Sequence, residues 1–171
     1  MTGALPVALL AAAAPLFARG TEGWFGLVPC ELCLWQRAPY WAAAALALGA
    51  ALLPSRGARR LGPALLLAAG GFAALSAAFG LFHLGVEAGW WPSPLPGCRV
   101  VSTGAAQSVD DLLAGLRAAP AKPCDEPAYL VPGLPLSMAA MNAIYGAGVA
   151  ALAVRASRRA RHRPSPAKET P

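Results

Sequence analysis

Residues 61–85 read LGPALLLAAGGFAALSAAFGLFHLG, a run without a single Asp, Glu, Lys or Arg. A hydrocarbon core is crossed by about 20 residues of helix, because a helix rises about 1.5 Å per residue and satisfies its own backbone groups. The run is therefore a membrane span, and it sets the class in which the rest of the chain is read. Three further stretches nearly free of charge, residues 1–17, 38–53 and 134–154, approach the same length. The first is the shortest, since Arg19 interrupts it and Pro6 and Pro15 lie inside, although Trp24 and Phe25 can prolong it past a snorkelling arginine. Composition agrees: 57% of the 171 residues are hydrophobic, only 13% are charged, and the mean hydropathy is positive, outside the balance of a soluble globular domain. A cleaved secretory signal is the competing reading of the first stretch, but no basic region opens it.

Orientation follows from the bases, because short loops rich in Lys and Arg stay on the cytoplasmic side. Arg56, Arg59 and Arg60 lie between the second and third spans, and Arg155, Arg158, Arg159, Arg161, Arg163 and Lys168 follow the fourth. The expectation is a single all-α membrane domain, a four-transmembrane-helix bundle. Its spans fall at about 3–19, 38–53, 61–84 and 136–154, with outer loops 20–37 and 85–135, a cytoplasmic loop 54–60 and a basic cytoplasmic tail 155–171. Seven of the eight acidic residues fall in the two outer loops, so the net charge of +6 is largely a topology signal. Nucleic-acid binding is the other reading of a basic tail, but Pro164 and Pro166 break it and no aromatic residue is interleaved for base stacking. Within the second outer loop, Ser108 opens a cap-like Ser-x-x-Asp, and Val109, Leu112, Leu113 and Leu116 recur at helical spacing. A short amphipathic helix is expected there, packed on its neighbours or lying in the headgroup layer.

All four cysteines, Cys30, Cys33, Cys98 and Cys124, fall in or beside the outer loops, which implies an oxidising compartment. Two in each loop suggests two disulfides, although four cysteines allow three pairings and spacing alone does not choose among them. Cys30 and Cys33 form a Cys-x-x-Cys where the first outer loop enters the second helix, a ring short enough to open and close repeatedly. Cys33 is expected in the first helical turn, where unpaired N–H groups and the helix dipole favour a thiolate. Arg37, four residues on, is expected one turn deeper on the same face, adding a permanent positive charge. Cys98 and Cys124 are separated by 25 residues bounded by Pro92, Pro94, Pro96 and Pro123. A bridge there would stabilise by ~3 to 4 kcal/mol through loop closure alone, but beside an activated Cys-x-x-Cys it is also placed for thiol exchange. A four-cysteine zinc site is the competing reading; the second pair lacks ligand-like spacing, and no metal is expected. His83 ends the third span and Glu87 follows at i+4, a polar pair at the membrane surface and a functional suspect by position. With no flavin, haem or nicotinamide motif in the chain, a lipid-soluble electron acceptor such as a quinone is the economical choice, and His83 is placed to give it a hydrogen bond or proton.

These residues resemble a known family. Pro29-Cys30-Glu31-Leu32-Cys33-Leu34-Trp35-Gln36-Arg37 is similar to the first-loop signature of the disulfide bond formation protein B (DsbB) family, quinone-dependent thiol oxidases of the bacterial inner membrane. Phe82-His83-Leu84-Gly85-Val86-Glu87 through Trp90 resembles the end of that family's third helix. Cys124-Asp125-Glu126-Pro127, with Leu136-Ser137-Met138-Ala139 and Asn142, resembles its entry to the fourth. One stretch departs: Val131-Pro132-Gly133-Leu134-Pro135 is richer in proline than the family's approach to that helix. The resemblance implies a protein-disulfide oxidoreductase that reoxidises a periplasmic DsbA-like, thioredoxin-fold oxidase and delivers the electrons to ubiquinone or menaquinone. It implies redox-active disulfides Cys30–Cys33 and Cys98–Cys124. Cys98 would take the mixed disulfide with the donor, and Cys124 would exchange with Cys30. Cys33 would face the quinone as charge-transfer or covalent partner, Arg37 would hold the charge, and His83 and Glu87 would sit near the ring.

Two other functions fit parts of the pattern. A vitamin K epoxide reductase-like protein shares a four-helix bundle and a Cys-x-x-Cys, but its motif sits at a later helix. A non-catalytic membrane scaffold stapled by two loop disulfides would not exchange with a thioredoxin-like protein.

Overall fold

The computed structural model describes residues 3–53, 61–95, 98, 122–131 and 133–162, and its regular structure is helical. Four helices follow in order: α1 (Ala4–Phe25), α2 (Glu31–Leu52), α3 (Gly62–Glu87) and α4 (Met138–Arg161). The expected amphipathic helix after Ser108 and the basic loop at 54–60 lie outside the described residues. α3 packs most extensively against α4 and then α2, while α1 lies mainly on α2 with a lighter contact to α4.

The helices meet through small side chains. The main core contains fourteen buried residues, ten of them alanine, including Ala43, Ala47, Ala69, Ala73 and Ala153. The large side chains face outward instead: Leu9, Leu16, Phe17, Leu67, Phe72, Leu81 and Ile144 are all exposed. In water that distribution would be unfavourable, because apolar burial drives folding there. In lipid the tails are as apolar as leucine, and helices associate by close backbone packing, which small residues permit. Gly146 shows how close: a Cβ there would lie 3.0 Å from the Ala73 carbonyl oxygen and 3.0 Å from the Ala77 Cβ on α3. Interhelical hydrogen bonds add to the seam. Ser76 donates to the Gln36 carbonyl at 2.6 Å, Asn142 Nδ2 donates to the Ser76 carbonyl at 3.0 Å, and Ser157 donates to the Pro63 carbonyl at 2.7 Å.

Among the described residues three helices, α1, α3 and α4, are long and apolar enough to cross a membrane. α2 has the length but not the composition, because Gln36, Arg37, Pro39 and Tyr40 occupy its first half. Each helix outruns the apolar stretch that announced it. α1 continues past Arg19 to Phe25 and stops at Gly26, whose φ of 64° is the left-handed cap glycine tolerates. α2 begins at Glu31 because Cys30 is its N-cap: the Cys30 Sγ accepts from the Cys33 N–H at 3.3 Å. α4 begins after Ser137, which accepts from the Ala140 N–H at 3.2 Å and donates to Glu87 Oε2 at 2.6 Å. That second bond ties the start of α4 to the end of α3. A single bridge between Tyr129 and Ser137 closes the connecting turn.

Beyond α3 the chain folds back on itself. Trp91 stacks on Phe82 at 5.6 Å and donates to the Phe82 carbonyl at 3.1 Å, its indole lying over Gly85. A Cβ at position 85 would fall 1.9 Å from the ring, so only glycine fits there. Cys98 packs with Cys30, Leu32 and Val86 at the ends of α2 and α3.

Candidate functional site

The four cysteines converge at that end of the bundle. Cys30, Cys98 and Cys124 are buried in one cluster with Leu32 and Val86, and Cys33 and Phe82 pack against it. Of the three possible pairings, the structure has Cys98 bonded to Cys124, with Cα atoms 4.8 Å apart. Cys30 and Cys33 are free thiols beside each other, and Cys30 Sγ donates to Cys33 Sγ at 2.8 Å.

The two thiols are unequal. Cys33 is held well below the usual thiol range, first by the hydrogen bond from Cys30 and then, against desolvation, by His83. Cys30 is pushed up, by keeping its proton in that bond and by burial. Both lie ahead of the apolar stretch that starts at Ala38, at the N-terminus of α2, where the dipole favours negative charge. The pair therefore holds one thiolate at Cys33 and one proton at Cys30.

His83 stands where the two pairs meet. Its Nε2 is 3.0 Å from the Cys124 carbonyl oxygen and 3.7 Å from Cys30 Sγ, and its Nδ1 is 2.8 Å from Gln36 Nε2. The carbonyl can only accept, so Nε2 carries the proton and Nδ1 accepts from the Gln36 amide. Glu87 lies at the margin: its Oε1 is 4.0 Å from His83 Nε2, and its other oxygen is taken by Ser137.

Cys33 also lines a cavity of about 450 Å³ that opens between α1, α2 and α4. Its walls are mainly apolar, with Ala14, Phe17, Val28 and Met138 among them, and Cys33, Gln36, Arg37, Glu22, Tyr40 and Asn142 supply polar atoms. The Tyr40 hydroxyl is buried without a hydrogen-bond partner among the described residues. An apolar cleft with a few converging polar groups is the usual form of a small-molecule site.

Arg37 lines this cavity with Cys33, as the helical spacing required, but its guanidinium pairs with Glu22 at 2.5 Å. The lowering of Cys33 comes from Cys30 and His83. His83 and Glu87, expected near the ring of a bound quinone, are not among the cavity-lining residues; His83 sits with the cysteines and Glu87 is bonded to Ser137. Glu22 and Gln36 also belong to the site, although no motif chemistry in the sequence points to them. Gln36 had a signal, since it lies three residues after Cys33 and so on the same helix face. Glu22 had a weaker one, an isolated carboxylate near the end of an apolar helix.

A sequence model of the family described as Disulfide bond formation protein DsbB matches residues 2–156 of the chain. No curated protein and no solved structure matches it.

Proposed function

Because the chain belongs to the DsbB family of disulfide bond formation proteins, matched over residues 2–156, we propose that it reoxidises a periplasmic DsbA-like thiol oxidase and passes the electrons to a membrane quinone. The observation that carries this reading is spatial. The Cys98–Cys124 disulfide, the Cys30 thiol and Cys33 lie in one cluster, and Cys33 alone of the four cysteines also lines the apolar cavity.

A donor thiolate attacks Cys98, and the donor's second thiol resolves the mixed disulfide. The donor leaves oxidised, and Cys98 and Cys124 are left as thiols. Cys124 then attacks Cys30 of an oxidised Cys30–Cys33 pair, and Cys33 departs as a thiolate. Cys98 attacks Cys124, restoring the outer disulfide and returning Cys30 as a thiol. Two electrons now reside on Cys30 and Cys33, which is the arrangement described above. A low thiol pKa makes Cys33 the better leaving group of its pair. His83 serves this inner exchange by holding an N–H between the Cys124 backbone and the Cys30 sulfur.

The quinone fits the cavity by size, by its apolar walls and by the thiolate, guanidinium and amide at its edge. When bound, it supplies an acceptor for two electrons and two protons. Cys33 is the cavity-lining member of the redox pair and would contact it, and Cys30 would close the disulfide with Cys33. Arg37, held by Glu22, places a fixed positive charge where negative charge develops. In this reading α2 also crosses the bilayer, giving four spans in the bacterial inner membrane with the cysteines on the periplasmic side. The composition of α2 is compatible with a span whose polar first half lies against other helices and a cavity.

The test is the initial rate at which purified protein in detergent oxidises a reduced DsbA-like protein with added ubiquinone or menaquinone. Turnover that requires one of the quinones is expected. No turnover with either, from protein whose disulfides form, would favour a scaffold.

A further inference from the structure

Cys30 Sγ, Cys33 Sγ and a ring nitrogen of His83 all lie within 4.8 Å of one another. The set differs from a four-cysteine site, since it takes one cysteine pair and a histidine from another helix. We propose that the reduced Cys30–Cys33 pair and His83 form a three-ligand site for a soft divalent cation such as Zn²⁺ or Cd²⁺, which locks the enzyme in its reduced state.

The geometry is close to what such an ion needs. With Zn–S at ~2.3 Å and Zn–N at ~2.0 Å, tetrahedral angles put a sulfur and a nitrogen ligand about 3.5 Å apart and two sulfurs about 3.8 Å apart. The Cys30 Sγ to His83 Nε2 distance is 3.7 Å. The two sulfurs, at 2.8 Å, must open by about 1 Å. Cys33 is only partly buried and lines the cavity, so its side chain has room to turn. Donor chemistry agrees, because two thiolates with an imidazole suit zinc-like ions.

Gln36 makes the histidine available. Coordination requires a bare Nε2, hence the proton on Nδ1. The Gln36 side chain faces Nδ1 at 2.8 Å, and a flip of its amide turns a donor into an acceptor for that proton. The same residue thus supports the donating tautomer of His83 in exchange and the ligating tautomer in metal binding, the outer-shell bond that ligand histidines normally have. Binding displaces the remaining thiol proton or protons and changes no oxidation state. The oxidised pair has no thiolates to offer, so the site exists only in the reduced form. A free cation in the periplasm would then inhibit turnover by trapping the electron-loaded enzyme.

The experiment uses Cys98→Ser/Cys124→Ser protein, so that the inner pair holds the only thiols, reduced and titrated with Cd²⁺ while the thiolate–metal ultraviolet absorbance is followed. One ion per chain is expected, with affinity at least 10-fold weaker in His83→Ala and in His83→Gln, binding lost in Cys30→Ser and Cys33→Ser, and none in oxidised wild-type protein. Circular dichroism checks that each variant keeps its helices. One ion per two chains, or unchanged affinity in both histidine variants, would overturn the proposal. Because the readout is binding without donor or quinone, it stands or falls separately from the oxidase reading.

Discussion

His83 Nε2 lies 3.0 Å from the carbonyl oxygen of Cys124, so a side chain near the end of α3 holds the backbone of the outer disulfide against the inner pair. The same nitrogen is 3.7 Å from Cys30 Sγ, and His83 is buried. A leucine at this site would keep the volume and lose both contacts, leaving the Gln36 amide without its acceptor. Loss of a buried hydrogen-bond partner costs about 1–3 kcal/mol. His83→Leu is expected to lower the unfolding midpoint in detergent and to slow exchange between Cys124 and Cys30. Stopped-flow quenching separates that step from donor binding, which should be unchanged.

The low Cys33 pKa has a pH signature in the reduced protein. Cys33 is depressed, so its thiolate persists as pH falls below the usual thiol range. Its contribution to stability is present above the unfolded thiol pKa and is lost as pH falls through the folded value. Cys30 is raised, so its contribution is full below the unfolded pKa and is lost at higher pH. Alkylation at pH 6 to 8, values on the acid side of an ordinary thiol near ~8.5, should therefore modify Cys33 at a nearly constant rate and spare Cys30. Mass spectrometry of the labelled peptides measures this. His83→Ala should move the Cys33 profile back toward the ordinary range.

Glu22 and Arg37 form the charged edge of the cavity, one from the end of α1 and one from the first turns of α2. Without the carboxylate the guanidinium is free to turn toward headgroups. Glu22→Gln should raise the quinone KM several-fold and leave the donor KM unchanged. Arg37→Ala should lower kcat by about 10² if its charge acts as a preorganised electrostatic group does. Steady-state kinetics with each substrate varied in turn distinguish the two effects.

Packing along the seam predicts a cost unrelated to chemistry. Gly146 admits no side chain without moving the Ala73 carbonyl, Ala77 or the Tyr40 hydroxyl. Gly146→Ala is therefore expected to destabilise by about 1–3 kcal/mol through overpacking. Thermal unfolding followed by tryptophan fluorescence would measure it, and Gly148→Ala, where nothing lies within 4 Å, serves as the control.

Much of the fold was legible because lipid makes a simple demand, long runs without charge, and residues 61–85 meet it unaided. Helix ends were not, because caps decide them. Hydropathy places a span from Ala38, while a cysteine sulfur starts the helix at Glu31. In the site, the Cys-x-x-Cys and the position of Arg37 on the same face followed from helical spacing. The pairing of Arg37 with Glu22 did not, since it depends on how the turn after Phe25 brings α1 back beside α2. The i+4 spacing of His83 and Glu87 suits a pair, yet their shorter contacts are to other elements. His83 turns to Cys124 and Gln36, and Glu87 to Ser137. Those contacts span separations of 41 to 50 residues, which no local pattern encodes.

The most direct measurement counts electrons at both ends of the relay. In one detergent assay, the disulfide formed in a DsbA-like donor and the quinone lost from its ultraviolet absorbance are followed together, for wild-type protein and for Cys33→Ser. One quinone consumed per donor disulfide in the wild type, and none in Cys33→Ser, is the predicted result. Sustained donor oxidation without quinone loss, or full turnover by Cys33→Ser, would contradict a path that runs from Cys98 and Cys124 through Cys30 and Cys33 to a quinone.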